Sequence, residues 1–212
     1  MKLYSYWRST AAYRVRIALA LKGLEYEYVP VHLIKEGGEQ HTTDYRDKNP
    51  EGLVPLLEAQ EGLFTQSLSI INYLEKKYPE PTLLTDSMTM NAHIEAMALS
   101  VACDIHPLNN LRVMNYLKGD FDFSGDDILK WYHHWLEQGF NAIEARLRNN
   151  SQDFSFVSYP TIADIFLVGQ VYNAHRFNFD MSAYPEINRV NENCLSLEAF
   201  KISVPENQID AD

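Results

Sequence analysis

The first thirty residues read as strand, helix, strand, and this order restricts the fold more than any other feature of the chain. Residues 2–7 alternate as a strand does, residues 12–22 carry an apolar helical stripe, and residues 25–29 alternate again. Gly23 stands where helices commonly end. Two strands joined through a helix pair in parallel, with a right-handed crossover. The chain is therefore predicted to begin with a βαβ unit.

A hairpin and a second helix follow a polar stretch. Residues 53–58 and 63–65 are predicted strands around a turn at Glu61-Gly62, and the segment SLSIINYLEKKY reads as a helix that opens at Gln66-Ser67. Proline at positions 79 and 81 ends this helix. The order βαβ–ββα predicts an α/β domain over residues 1–79, followed by a linker at 80–86.

Strand signals nearly vanish beyond the linker. Residues 90–117 and 128–147 read as two long helical patterns, and Thr161-Ile162-Ala163-Asp164 has the form of a capping box ahead of an apolar run. The polar residues 204–212 show no periodicity and are predicted to form a loose tail. Residues 87–212 are therefore predicted to form an all-helical domain.

The net charge of −11 over 212 residues argues against nucleic acid as a partner. Residues 1–78 hold ten basic and ten acidic residues, so the acidic excess belongs to the second part of the chain. No apolar run of about 18 residues exists, which predicts no membrane span, and the N-terminus lacks the pattern of a signal peptide.

The two cysteines form no spaced pattern, which favours a reduced, cytoplasmic protein. Cys103 is predicted to be a buried small apolar residue. His133 and His134 are adjacent, so they point to different sides of a helix and predict no metal site.

Two hydroxyl residues, Ser9 and Thr10, precede the first helix, and arginines stand at positions 8, 14 and 16. The hydroxyls could serve as a helix N-cap. A helix N-terminus also favours an anion. Both interpretations remain open from the residues alone, and one site can serve both.

Several motifs together resemble the cytosolic glutathione transferases. The segments are SYWRSTAAYRVRIALALKG, NPEGLVPLLE, QSLSIINYLE, CDIHPLNNLR, PTIADIFLVGQV and AHRFNFDMSAYPEI. Within that family they are most similar to the zeta class, and the resemblance covers nearly the whole chain. One departure is plain: many zeta members carry cysteine where this chain has Ala11, and Ala12 replaces a second serine. Any nucleophile there must come from the cofactor.

The resemblance implies a thioredoxin-like domain followed by a helical domain, with glutathione as cofactor and a homodimer as the assembly. It implies cis–trans isomerisation of a small diacid through reversible thiolate addition to the double bond. Maleylacetoacetate, from tyrosine and phenylalanine breakdown, is the first substrate expected, and maleylpyruvate is the second. A general conjugating transferase and a non-catalytic binding protein are the alternatives.

The resemblance also implies the residues of the site. Ser9 is expected to donate a hydrogen bond to the thiolate of glutathione, with Thr10 beside it, and the substrate carboxylates are expected to meet arginines. The expected catalytic residues are Ser9, Thr10, Arg8 and Arg176. The expected glutathione-binding residues are Ser9, Thr10, Arg14, Gln40, Val54, Gln66, Ser67, His106, Asn110 and Arg112, of which Arg112 is also a candidate for a substrate carboxylate. Arg16 is expected to be structural.

Overall fold

The computed structural model describes residues 1–211, and these form two compact units. The first unit contains residues 1–82 together with 195–211, and the second contains residues 83–194. The division after residue 82 falls inside the predicted 80–86 linker. The predicted helical domain, by contrast, included the last residues of the chain, which belong to the first unit.

The first unit is built on a four-stranded mixed sheet in the order β2-β1-β3-β4. Its strands are β1 (Lys2–Ser5), β2 (Glu27–Pro30), β3 (Leu56–Ala59) and β4 (Gly62–Thr65). β1 pairs in parallel with β2, with Leu3 opposite Tyr28, and the pairs β1–β3 and β3–β4 are antiparallel. The predicted βαβ unit and hairpin are therefore confirmed.

The first unit contains helices in addition to this sheet. They are α1 (Thr10–Leu21), the single turn α2 (Thr43–Arg46), α3 (Ser67–Lys77) and the short C-terminal helix α9 (Glu198–Ser203). α1 contacts both α3 and α9, and α3 contacts β4. α1 ends before Gly23, whose φ of 63° suits the glycine that the sequence places there.

The second unit is helical, as predicted. Its helices are α4 (Met88–Leu99), α5 (Leu111–Asp120), α6 (Gly125–Leu147), α7 (Ile162–Arg176) and α8 (Pro185–Ser196), of which α8 runs on into the residues assigned to the first unit. The capping box of Thr161 and Asp164 at the start of α7 is confirmed. α6 begins three residues before the predicted position, because Ser124 and Asp127 form a capping box of their own.

The prediction of one helix over residues 90–117 is wrong. α4 passes into a π-helical segment at Ser100–Ile105 and a 3-10 turn at His106–Asn109 before α5 begins. Pro107 has no N–H to donate, and Asn110 caps the next helix with its own side chain. Cys103 lies in the π-helical segment and is exposed, which corrects the prediction that it is buried, whereas Cys194 is buried.

The prediction of a loose tail is also wrong for the described residues 204–211. A 3-10 turn forms at Pro205–Asn207, and Asp210 accepts two hydrogen bonds from the body of the first unit. The tail lacks periodicity because individual contacts hold it in place, not an apolar face. In residues 1–211, no helix has the length and apolar content needed to cross a membrane.

Candidate active site

The hydroxyl of Ser9 lies at a helix N-terminus whose first turn contains no acidic residue, which we call an open N-terminus. Ser9 is the N-cap of α1, and its Oγ accepts a hydrogen bond from the Ala12 N–H at 3.2 Å. That bond uses a lone pair of the oxygen and leaves the hydroxyl hydrogen able to donate. The first turn of α1 contains no acidic residue. The positive end of the helix therefore has no internal carboxylate of its own and favours an anion.

Thr10 differs from Ser9 in accessibility. It is the first residue of α1 and only 3% exposed, whereas Ser9 is partly exposed. Of the two hydroxyl residues, Ser9 is therefore the one that presents more surface to a ligand. Arg8, also partly exposed, places its guanidinium carbon 4.1 Å from the centre of the Trp7 ring. This cation–π contact holds the charge while leaving donors available for a carboxylate.

The buried side chain of Arg14 contacts the N-terminus of a second helix, α3. Arg14 Nη1 donates to Ser67 Oγ at 3.5 Å, and both residues are buried. Burial lowers the pKa of Arg14 to about 9, so the guanidinium stays mostly protonated at pH 7. Ser67 is the first residue of α3, whose first turn contains no acidic residue. Positive charge and free N–H groups thus meet at a position suited to a carboxylate.

Gln66 leads into α3 with an unusual backbone. Its φ of 65° lies in the region that non-glycine residues rarely adopt. Its side-chain amide donates to Glu51 Oε2 at 2.8 Å, on the exposed surface. Backbone strain of this kind is concentrated at ligand sites, and the role of the Gln66-Ser67 pair in binding stays a prediction.

Two further residues of the first unit offer unsatisfied polar atoms. The Val54–Pro55 bond is cis, and the main chain of Val54 makes no hydrogen bond with any other described residue. Gln40 lies in the 3-10 turn Glu39–His41 and is 7% exposed. Its side-chain nitrogen contacts the Leu33 carbonyl and the His41 ring, but its Oε1 has no partner among residues 1–211. Both positions suit the amide and amine groups of a peptide ligand.

The predicted residues of the second unit fall in two places. His106 opens the 3-10 turn, and Asn110 caps α5 by accepting the Arg112 N–H at 3.1 Å through its Oδ1. Arg112 is exposed. The predicted helix over residues 90–117 would contain both His106 and Arg112, but the 3-10 turn and the Asn110 cap separate them. The amide nitrogen of Asn110 is not used by the cap.

Arg176 is the last residue of α7, and its guanidinium carbon lies 5.2 Å from the centre of the Phe177 ring. Phe177 itself is held from α6: Tyr132 stacks on its ring at 3.8 Å, and His133 Nε2 contacts its carbonyl oxygen at 2.8 Å. Sequence reasoning assigned no role to Tyr132 or His133. No local signal could have revealed one, since 44 residues separate His133 from Phe177.

The described residues contain no group of three or more His, Cys, Asp and Glu side chains able to hold a metal ion. In the first unit, Ser9, Arg14 and Ser67 supply hydrogen-bond donors, helix ends and a guanidinium group. Such groups can hold an anionic peptide and stabilise a negative charge near Ser9.

Residues 3–82 match the family model for the glutathione S-transferase N-terminal domain. A probable maleylacetoacetate isomerase of Vibrio cholerae is 44% identical over 99% of this chain and 97% of that protein. A solved holo structure of a maleylpyruvate isomerase, described as a bacterial zeta-class glutathione S-transferase, is 42% identical, with a TM-score of 0.97 and full coverage of both chains. A maleylacetoacetate isomerase from Methylobacterium extorquens, solved with bound malonate and glutathione, is 35% identical, with a TM-score of 0.95 and full coverage of both chains.

Proposed function

The chain belongs to the zeta class of the glutathione S-transferase family, and from this premise we propose that it is a glutathione-dependent cis–trans isomerase of a maleyl keto diacid. Maleylacetoacetate is the first substrate proposed, which would place the enzyme in tyrosine and phenylalanine breakdown, and maleylpyruvate is the second. The observation that carries the proposal is the open N-terminus of α1 with the Ser9 hydroxyl at its mouth.

Ser9 is proposed to keep the sulfur of glutathione ionised. An unperturbed thiol has a pKa of about 8.5, so only a few per cent is thiolate at neutral pH. A hydrogen bond to a charged group contributes roughly 1.5–3 kcal/mol, and one pKa unit corresponds to about 1.4 kcal/mol. One hydroxyl can therefore lower the thiol pKa by about one to two units, and the helix end adds to this effect. No protein base is required.

The residues of the first unit fit glutathione by their donor and acceptor sets. The unpartnered Gln40 Oε1 can accept from an N–H group, and the Val54 main chain can pair with an extended peptide. Ser67 and the α3 N-terminus, with Arg14 buried behind, suit the γ-glutamyl carboxylate. When bound, glutathione supplies a thiolate that adds reversibly to the activated double bond and so permits rotation about it.

Arginines are proposed to bind the substrate carboxylates and to stabilise the negative charge that develops on the conjugated carbonyl oxygen. Arg8 and Arg176 are the first candidates, and Arg112 is the third. An acidic protein repels a diacid at long range, so local guanidinium groups are needed to bind it. Malonate bound to the Methylobacterium relative is a small diacid, which supports this substrate class. His106 and Asn110 are proposed to contact glutathione from the helical unit.

Turnover of synthetic maleylacetoacetate and maleylpyruvate, each with and without glutathione, tests the proposal. We expect isomerisation only when glutathione is present, and the ratio of kcat/KM values identifies the preferred substrate. Full activity in protein freed of glutathione would overturn the mechanism. Inactivity on both substrates with glutathione present would overturn the isomerase assignment.

A general transferase that conjugates neutral electrophiles is the second candidate, because the groups proposed to ionise the thiol all lie in the first unit and would serve that reaction equally. Arg8→Gln and Arg176→Gln separate the two functions. Each is expected to reduce isomerisation about tenfold or more, since a lost hydrogen bond to a charged group costs roughly 1.5–3 kcal/mol. Conjugation of a neutral electrophile should be little changed. Equal loss of both activities would contradict the assigned roles.

The proposal includes a homodimer in the cytoplasm. The family resemblance supports the dimer, and the unpatterned cysteines support a reducing compartment. Sedimentation equilibrium tests the first statement, and fractionation of the native cells tests the second.

A further inference from the structure

The C-terminal segment of the chain is folded onto the first unit beside the start of α1. α9 packs against α1, and the chain then continues through the Pro205–Asn207 turn to Asp210. We call residues 198–211 the C-terminal strap. Beyond the packing of α9 on α1, the strap has polar contacts with Trp7, Arg16 and Tyr28. Of these residues, Trp7 lies two positions before Ser9.

Asp210 binds the main-chain N–H of Trp7. Its Oδ2 accepts the Trp7 N–H at 3.1 Å, and its Oδ1 accepts the Tyr28 hydroxyl at 2.7 Å. Both carboxylate oxygens are thus engaged, one by the turn that leads to Ser9 and the other by strand β2. The strap is thereby tied to the β1–α1 connection and to the neighbouring strand.

Arg16 binds the main-chain carbonyl of Trp7. Its Nη2 donates to the Trp7 carbonyl at 3.0 Å, and its Nε donates to the Ser203 carbonyl in the strap at 3.2 Å. Nη1 donates to Ser5 Oγ at 3.2 Å. The side chain is 1% exposed, so its hydrogen bonds are shielded from water. The N–H and the C=O of Trp7 are therefore both connected to the strap.

The side chain of Trp7 is held by the same region. It belongs to a buried cluster of aromatic and aliphatic residues, namely Tyr6, Trp7, Val31, Tyr45, Val54 and Leu56, and Ala211 of the strap packs against this cluster. Val54 is the residue whose free main chain is proposed to pair with glutathione. The strap thus supports the two segments of the first unit that carry Ser9 and Val54.

We propose that the C-terminal strap positions the Ser9 hydroxyl, with Asp210 and Arg16 as positioning residues that act through the Trp7 main chain. The Ser9 N–H donates to the Tyr6 carbonyl at 2.9 Å, so a shift of the Tyr6–Trp7 peptide moves Ser9 directly. Displacements of about 1 Å are enough to lose much of the benefit of an aligned group. The inference rests on the proposed function, because it assigns a purpose to the position of Ser9.

Asp210→Asn and Asp210→Ala test the strap, with Glu198→Gln as the matched control. Glu198 is exposed in the same segment, so its variant removes a strap charge without touching Trp7. The thiol pKa of bound glutathione is read from thiolate absorbance against pH, together with kcat, KM and the melting temperature. Asp210→Ala should raise that pKa by about half a unit or more and lower kcat roughly tenfold at neutral pH. The thiol pKa and kcat of Asp210→Asn should lie between those of Asp210→Ala and the parent, and both values of Glu198→Gln should match the parent.

A lower melting temperature in both Asp210 variants, with parental thiol pKa and kcat, would overturn the positioning role. Amide hydrogen exchange over residues 6–12 gives a readout that needs no activity. Faster exchange there in Asp210→Asn but not in Glu198→Gln supports the strap, and unchanged exchange overturns it. If the parent protein did not bind glutathione, the proposed function would fail, and exchange alone would still decide whether the strap holds this turn.

Discussion

The N-termini of α1 and α7 differ in what balances the positive end of the helix dipole. At α7 the chain supplies its own anion: Asp164 is fully buried and accepts from the Thr161 N–H at 2.7 Å, the Thr161 hydroxyl at 2.8 Å and the Ser155 N–H at 2.7 Å. Burial raises the pKa of Asp164, and these donors oppose that rise. At α1 the first turn has no acidic residue, and the cap is a partly exposed serine.

The difference is between a helix end that carries its own carboxylate and one that does not. The start of α6 resembles that of α7, because Asp127 forms a capping box with Ser124. The start of α3 resembles that of α1, because its first turn contains no acidic residue. The two ends closed by a capping box both lie in the second unit, although α4 and α5 of that unit also begin without an acidic residue in the first turn. A helix end that carries its own carboxylate has little remaining affinity for an external anion.

The largest expected effect concerns the closed end. Asp164→Ala removes the acceptor of three buried hydrogen bonds, so the free energy of unfolding should fall by about 3 kcal/mol or more. Urea denaturation measures the change. Asp127→Ala at the exposed box of α6 is the control, with an expected loss of about 1 kcal/mol. Equal losses would contradict the importance of burial at α7.

The open end of α1 should respond in activity more than in stability. Ser9→Ala is expected to lower kcat for isomerisation about 10- to 100-fold, because a hydrogen bond to the thiolate is lost. It should cost about 1 kcal/mol of unfolding free energy through the lost cap. Ser9→Gly retains most of the capping preference, so it should be nearly as stable as the parent and as inactive as the alanine variant. An active glycine variant would show that Ser9 is only a cap.

The open end of α3 provides a smaller effect. Ser67→Ala removes a hydroxyl at the proposed carboxylate site and should weaken glutathione binding roughly tenfold. Isothermal titration calorimetry measures the dissociation constant. Ser124→Ala, at the closed end of α6, should leave glutathione binding unchanged and lower only stability. If both variants bound glutathione as the parent does, α3 would not be a ligand site.

The smallest expected effect comes from giving α1 an internal anion. Ala11→Asp places a carboxylate in the first turn, so it should raise the pKa of the bound thiol and lower kcat several-fold. It should also add about 0.3–1 kcal/mol of stability through the helix dipole. Ala11→Asn has nearly the same size without the charge. If the asparagine variant lost equal activity, steric crowding would be the cause and the electrostatic argument would fail.

Local patterns predicted the strand and helix order of residues 1–79 and the capping box at the start of α7, but not the capping box at the start of α6. The break in the helical pattern after residue 99 was missed, because the helical sequence pattern continues through residues 100–105 while their backbone takes a π-helical path. Of the site residues, Ser9 and Ser67 could be found from their places before helical patterns. The Arg14–Ser67 contact could not, since 53 residues separate the two.

The sequence by itself determined the βαβ–ββα order, the helical character of the second half and the absence of an acid at the start of α1, because these depend on periodicity and on residue types within one or two turns. Only the tertiary structure decided that Asp210 in the polar tail binds the Trp7 N–H and that Arg16 is buried among main-chain carbonyls. It also decided that Tyr132 and His133 contact Phe177, the residue after Arg176. Such contacts join residues distant in the chain and have no period. Their positions follow from packing and from the need to satisfy buried polar groups.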